Sequence, residues 1–390
     1  MTLDGNSERR RCNRLKWTTI SQHLFQDPSD TVAIMATSPF LTMSKNTKTR
    51  LWNDSAEPSE LSQALTWGAV GATCNPVIAL TALKADAPLW RDQILAYGAA
   101  NPSASDSEIG WRMVRELSIR AAELLMPAFE EHNGINGRLS VQTDPRLHRD
   151  TDALINQAVE FSNLAPNIIV KLPVTATGVA AIEESTYLGV SINATVSFTV
   201  PQSLAVAEAV ERGLNRRVAE GLDISTMGPV CTIMVGRLDD WIKVAGEREK
   251  LTLDPGFYEW AGVATFKRAY SIFVERGYRT RLLSAAFRNH MHWSELVGGD
   301  VVISPPFSWQ QRLNASGIEA VDRIDIPVDP RIVTALYDSI PDFRRAYDPD
   351  GMTEDDFLTY GATARTLRQF LAATNDLEGF VRDVTVPSRD

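Results

Sequence analysis

The fold reading turns on Asn167-Ile168-Ile169-Val170-Lys171-Leu172-Pro173. A run of apolar, mostly β-branched residues closed by proline reads as a strand buried on both faces, the kind found in a parallel sheet covered by helices. Lys171 interrupts that run, and no other lysine lies between Lys84 and Lys243. An ammonium group there must shed water. Desolvation disfavours its charged form and lowers its pKa toward neutrality. A lysine that is neutral near pH 7 attacks carbonyl carbon and forms a Schiff base. The competing reading is a structural lysine that snorkels out of the core or pairs with a carboxylate.

Working outward from this segment, the chain alternates strand-like and helix-like stretches from about residue 49. Candidate strands are Thr49–Asp54, Ala69–Asn75, Leu139–Thr143, Ile168–Leu172, Val190–Thr195, Val230–Val235, Arg281–Ala286 and Val301–Ser304. Helix-period segments between them include Ser59–Trp67, Asp106–His132, Asp150–Ser162, Gly178–Leu188, Pro201–Arg212 and Pro255–Arg276. Eight short strands, each followed by a helix or long connection, predict an α/β protein with a (β/α)8 TIM barrel; a doubly wound sheet is the alternative. The barrel is favoured because eight is its strand number and no Gly-x-Gly-x-x-Gly turn opens any helix. Past the last strand, Asp329–Tyr347 is helical by pattern. Another helix begins at Met352-Thr353-Glu354-Asp355-Asp356, with Thr353 as N-cap and acids in its first turn. Its apolar positions Phe357, Tyr360, Leu367, Phe370 and Leu371 predict a C-terminal helical segment packed on the barrel.

Residues 1–48 read as an N-terminal tail, because Glu8-Arg9-Arg10-Arg11 leads into polar sequence without periodicity. A transit peptide, or a start further along at Met35 or Met43, are the other readings of this stretch. Asp4, Glu8, Asp27 and Asp30 count against the transit peptide. Residues 49–390 read as a single domain.

The 390 residues are 44% hydrophobic and 23% charged, as in a soluble globular protein. A formal charge of −10 argues against nucleic acid as a partner, so an anionic substrate would need a local basic site. Cys12, Cys74 and Cys231 are odd in number and widely spaced. They form neither a disulfide framework nor a zinc motif and fit a reducing compartment, so a cytoplasmic location is expected. No stretch approaches the length of a membrane span.

In such a barrel, chemistry gathers where the strands end. Strand one ends at Asp54, and strand two presents Thr73 and Asn75 on one face by the two-residue period. Strand three aligns Ser140, Gln142 and Asp144; strand four brings Lys171; strand five pairs Asn193 with Thr195. Strand six supplies Thr232 and Met234 followed by Gly236-Arg237, and strand seven aligns Ser284, Ala286 and Arg288. One lysine, one acid, several amides and hydroxyls and two arginines suit carbonyl chemistry on a phosphorylated, hydroxyl-rich molecule. For each arginine, a surface or helix-end ion pair is the bland alternative. His290 and His292 form a His-x-His pair with no recognisable acidic or cysteine partner, so no metal site is expected.

These blocks resemble the transaldolase family. Gly71-Ala72-Thr73-Cys74-Asn75-Pro76 looks like its Thr-x-Asn-Pro signature, and Ile168–Pro173, with Thr175 and Gly178 beyond, is similar to the segment that carries its Schiff-base lysine. Gly189–Ser197, Val235-Gly236-Arg237-Leu238 and Ala286-Phe287-Arg288-Asn289 match further blocks in the same order, from about Trp52 to Pro305. The resemblance implies a (β/α)8 barrel, sugar-phosphate substrates, and transfer of a dihydroxyacetone unit without a cofactor, because the protonated imine is itself the electron sink. It implies Lys171 as nucleophile and Asp54 as acid/base, with Gln142 and Thr195 on the catalytic water. Thr73, Asn75, Asn193 and Thr232 would bind hydroxyls, and Arg237 and Arg288 the phosphate. It is compatible with a homodimer.

Three departures stand out. Gln142-Thr143-Asp144 replaces the family's Glu-x-Asp; a glutamate relays protons through water, whereas a glutamine only holds the water. Thr232-Ile233-Met234 replaces Ser-Pro-Phe, and Ala286 stands where the family often has a phosphate-binding serine. Since fructose-6-phosphate aldolases of the same superfamily carry a glutamine in the comparable role, simple aldol cleavage is one alternative. A sugar-phosphate-binding barrel that no longer turns over is another.

Overall fold

The computed structural model describes residues 38–387. Eight parallel strands close in chain order into one barrel: β1 (Arg50–Asn53), β2 (Ala69–Thr73), β3 (Arg138–Gln142), β4 (Ile168–Pro173), β5 (Ile192–Thr195), β6 (Val230–Ile233), β7 (Arg281–Ala285) and β8 (Val302–Ser304). β8 pairs back onto β1, with Ile303 beside Leu51, so no strand edge is left open. The doubly wound alternative is thereby replaced by closure. The predicted strands are all present, most of them a residue or two shorter, because pairing stops where the chain turns into the loops.

Two apolar layers hold the barrel. Strand residues such as Leu51, Leu139, Val170, Leu172, Ile192, Cys231 and Ile303 face outward into the large core beneath the helices. Trp52, Ile169, Val230, Leu283, Ala285 and Val302 form a smaller cluster inside the barrel. Trp52 is fully buried, and a Cβ on Gly71 would lie 2.5 Å from its indole. The glycine of β2 is therefore the space the tryptophan ring fills. The alternation inside β4 follows directly: Val170 and Leu172 face the helices, Ile169 and Lys171 face the lumen.

Several helices begin at side-chain caps. Ser105 and Glu108 close a capping box on Asp106–Glu131, and Thr175 Oγ1 accepts from Gly178 N on Ala176–Tyr187. A Cβ on Gly178 would sit 1.7 Å from the Pro173 carbonyl oxygen. That helix is therefore pressed against the end of the lysine strand in a way only glycine permits.

Several predicted helices are divided. Pro255–Arg276 is two helices, Pro255–Tyr258 and Ala261–Arg276, and the stretch Asp329–Tyr347 breaks at Ile340 before Pro341 into Pro330–Ser339 and Pro341–Tyr347. Thr353 caps only the short helix Glu354–Phe357, after which Gly361–Thr385 runs as one long helix. Phe357, Tyr360, Leu367 and Phe370 are buried as expected, and Leu371 packs partly buried against the same core. Within the stretch read as tail, Pro39–Asn46 is a helix that buries Phe40 and Met43, and Phe40 packs on Trp293 with ring centroids 5.0 Å apart. The remainder of the tail reading, residues 1–37, lies outside the described residues. No described helix is long and apolar enough to cross a membrane.

Candidate active site

Strand register sets the floor of the site. Lys171 on β4 lies between Gln142 on β3 and Asn193 on β5, and Thr195 lies beside Pro173. Asn193 joins three strands: its Nδ2 donates to Ser140 Oγ at 3.0 Å, and its Oδ1 accepts from Thr232 Oγ1 at 2.8 Å. All of these side chains are buried. Ser140 was read only as a face-mate of Gln142; its hydroxyl is what fixes the Asn193 amide.

Lys171 is only 6% exposed, and among the described residues no hydrogen bond or ion pair holds its Nζ. Burial pushes its pKa below the ordinary lysine value; the nearby Asp54 carboxylate opposes that shift. The reading of a lysine locked onto a carboxylate is therefore set aside: Asp54 acts on it through space without pairing. Asp54 itself keeps partial exposure at the mouth of the barrel. Burial of its carboxyl raises its pKa, while Lys171, the Thr73 hydroxyl and Arg237 pull it back. Thr73 Oγ1 donates to Asp54 Oδ1. Ser304 Oγ, on the lumen face of β8, lies 3.5 Å from the same Thr73 hydroxyl. Ser304 was not singled out in the sequence, although its two-residue spacing from the lumen residue Val302 carried the signal. Cys74 is buried and its thiol is pushed up to about 12 by that burial, so it stays protonated beside the site.

Gln142 is 5% exposed, and its Oε1 has no hydrogen-bond partner among the described residues. An unsatisfied buried amide oxygen next to a reactive amine is a ready acceptor for a water or a substrate hydroxyl. Asn75 is divided between two tasks. Its Oδ1 caps the helix Pro76–Ala85, accepting from Val77 N at 2.9 Å and Ile78 N at 3.0 Å. Its Nδ2 makes no protein hydrogen bond among the described residues, and is the half of the amide left to act on a ligand.

Arg237 and Arg288 follow β6 and β7, close enough for their charges to act on each other. Arg237 is anchored from the C-terminal helix: its Nη1 donates to Thr366 Oγ1 at 3.2 Å and Gln369 Oε1 at 2.6 Å, and its guanidinium lies 5.5 Å from the Phe370 ring centroid. Burial lowers its pKa first, and the like charge of Arg288 lowers it further. Two guanidinium groups close enough for their charges to repel, one of them without a carboxylate salt bridge among the described residues, are suited to receive an anion. Arg288 is exposed and bonded to Asp240, with Nε–Oδ2 at 2.9 Å, so the ion-pair reading holds for it in part.

Three alignments read from the sequence are corrected here. On β7, Leu283 and Ala285 face the lumen, whereas Ser284 points outward and donates to the His292 carbonyl at 2.9 Å. The two-residue alternation ends because Ala286 adopts φ +63, so the turn, and not the strand period, aims Arg288. On β3, Asp144 leaves the shared face: it caps the turn Pro145–Leu147 and binds Arg146 Nε at 2.9 Å. His292 does have an acidic partner, Asp239, 2.7 Å away and fifty-three positions earlier. No group of three or more metal-ligating side chains occurs among the described residues.

The fold and site together define a closed (β/α)8 barrel with a buried amine that has no partner among the described residues, an acid near it and two arginines that follow β6 and β7. The chain belongs to the transaldolase/fructose-6-phosphate aldolase family, whose model matches residues 51–380. It is similar to the transaldolase of Kocuria rhizophila, 32% identical over 212 residues that cover 53% of this chain and 56% of that protein. The transaldolase of Thiobacillus denitrificans is 34% identical over 215 residues, 53% of this chain and 58% of the relative. For that of Mycolicibacterium smegmatis the figures are 32% over 235 residues, 58% and 61%. The chain thus spans a little over half the length of these curated relatives.

Proposed function

We propose that this protein is a transaldolase that moves a dihydroxyacetone unit from a ketose phosphate to an aldose phosphate. The observation that carries the reading is the Lys171 amine, buried, facing the lumen and without a hydrogen bond or ion pair among the described residues, with the Asp54 carboxylate acting on it through space. The amine adds to the ketone carbon and water leaves as the imine forms. Asp54 takes the proton of the C4 hydroxyl, the C3–C4 bond breaks, and its electron pair is drawn into the iminium as an enamine. The aldose phosphate formed from C4 onward departs. The enamine then attacks a second aldehyde, Asp54 returns its proton to the new hydroxyl, and water releases the ketose and regenerates the amine. Gln142 Oε1 and Thr195 border that water, Asn193, Thr232, Thr73 and the Asn75 amide hold substrate hydroxyls, and Arg237 with Arg288 takes the phosphate.

The decisive experiment is borohydride trapping with fructose 6-phosphate, with the adduct located by peptide mass. A reduced adduct on Lys171, absent from Lys171→Ala, is expected. Its absence from the unsubstituted protein would favour a sugar-phosphate-binding barrel without turnover. The aldolase reading draws on Gln142 standing where transfer enzymes of the family carry glutamate. Assay with and without an aldose acceptor separates the two: rapid release of glyceraldehyde 3-phosphate without acceptor would assign simple cleavage. The same proposal takes residues 49–390 as one catalytic domain and places the protein in the cytoplasm, in keeping with Cys74 and Cys231, both free thiols. Whether the chain forms the homodimer with which the resemblance is compatible is checked by sedimentation.

A further inference from the structure

Behind the two arginines lies a buried carboxyl–imidazole pair that the reaction above does not use. Asp239 and His292 are both fully buried, with Oδ2 and Nε2 2.7 Å apart. Each partner's second atom is also committed. Asp239 Oδ1 accepts from Gly262 N at 2.7 Å, and His292 Nδ1 faces the backbone N–H of Arg288 at 3.0 Å. An N–H aimed at Nδ1 requires a lone pair there, so the imidazole proton resides on Nε2 and is donated to Asp239. Phe287 covers the ring edge-on at 5.7 Å, and the His292 carbonyl is held by Ser284.

The geometry ties this pair to both arginines. Asp239 lies on the helix Val235–Arg248, two residues past Arg237 and one before Asp240. Asp240 holds the Arg288 side chain while His292 holds its main chain. At the start of this helix a Cβ on Gly236 would meet the Ala286 carbonyl at 2.0 Å, Arg288 Cγ at 2.8 Å and His292 Cε1 at 3.1 Å. The two arginine-bearing segments therefore touch at backbone distance, just where Ala286 carries its positive φ.

We propose that Asp239 and His292 are positioning residues that set the separation of the Arg237 and Arg288 guanidinium groups, and so govern affinity for the phosphate end of the substrate. The inference rests on the function proposed above. In their absence the strained turn after β7 loses the hydrogen-bonded tether that runs from the Arg237 helix through Asp239 and His292 to the Arg288 main chain. Neither residue touches substrate.

Two substitutions at one position separate positioning from general damage. In His292→Asn the amide oxygen can occupy the place of Nδ1 and still accept from Arg288 N–H. In His292→Gln the amide reaches Asp239 in place of Nε2, and the acceptor for Arg288 is lost. For His292→Gln, the KM for fructose 6-phosphate and the dissociation constant of inorganic phosphate, read by calorimetry, should both rise about tenfold, the size of one lost hydrogen bond; kcat should change less than threefold. His292→Asn should recover most of that loss. Equal phosphate affinity in the unsubstituted and Gln variants, or a loss confined to kcat, would overturn the proposal.

Nitrogen-15 histidine spectra of the unsubstituted protein give a test independent of variant folding. Protonation of His292 on Nε2 alone is expected, and a proton on Nδ1 would overturn the tether. Phosphate calorimetry needs no turnover, so a failure of the Lys171 chemistry, read by borohydride trapping, is distinguishable from a failure here.

Discussion

At the scale of single residues, the site is a contest between burial and charge. Burial lowers the Lys171 pKa, and the Asp54 charge raises it again by a smaller amount. Only the neutral amine forms the imine, so its rate of formation should rise with pH and level off at a midpoint below the ordinary lysine value of 10.5. Asp54→Asn removes a charge that favours the ammonium form. The midpoint should then move to still lower pH even as cleavage falls by about a hundredfold or more. Stopped-flow imine formation across pH checks this, and an upward movement of the midpoint would refute the electrostatic account. Gln142 is the second contest. Its unpaired Oε1 can hold a water but cannot relay its proton. Gln142→Glu should raise acceptor transfer relative to cleavage by about tenfold, read as the ratio of the two rates with fructose 6-phosphate; an unchanged ratio would remove Gln142 from the partition.

At the scale of elements, one amide joins β2 to the helix that follows it. Asn75 Oδ1 satisfies two N–H groups at the start of Pro76–Ala85, and only its Nδ2 faces away from that duty. The two tasks separate by substitution. Asn75→Asp keeps both cap bonds, so stability should hold, while loss of the amide donor should lower kcat/KM by about tenfold. Asn75→Ala should do the same to activity and also cost about 1 kcal/mol of stability through the lost cap. Urea denaturation beside kinetics reads both effects, and equal stability of the Ala variant would deny the cap.

At the scale of the whole molecule, the C-terminal helix Gly361–Thr385 reaches the candidate site. It supports Arg237 through Thr366, Gln369 and Phe370 and is tied down beyond by Arg146–Glu378 at 2.7 Å and Arg382–Asp106 at 3.0 Å. Phe370 is 1% exposed, so Phe370→Ala should cost about 3–5 kcal/mol. Because the ring also underlies the Arg237 guanidinium, KM for the phosphorylated donor should rise about tenfold. A stability loss with unchanged KM, measured below the unfolding transition, would show that the helix only covers the barrel.

The sequence by itself determined the strands, their number and most of the polar lumen groups on β2 to β6. Burial on both faces and a two-residue period are local properties, so Lys171, Thr73, Gln142, Asn193, Thr195 and Thr232 could be placed from their neighbours alone. Only the tertiary structure decided what lies beyond strand ends. Ala286 leaves the strand at φ +63, Asp144 turns to Arg146, and Asp239 finds His292 across fifty-three positions. The division of Asn75 between cap and site was hidden for the same reason. Such pairings depend on loop conformations and on contacts between distant segments, which no local period encodes.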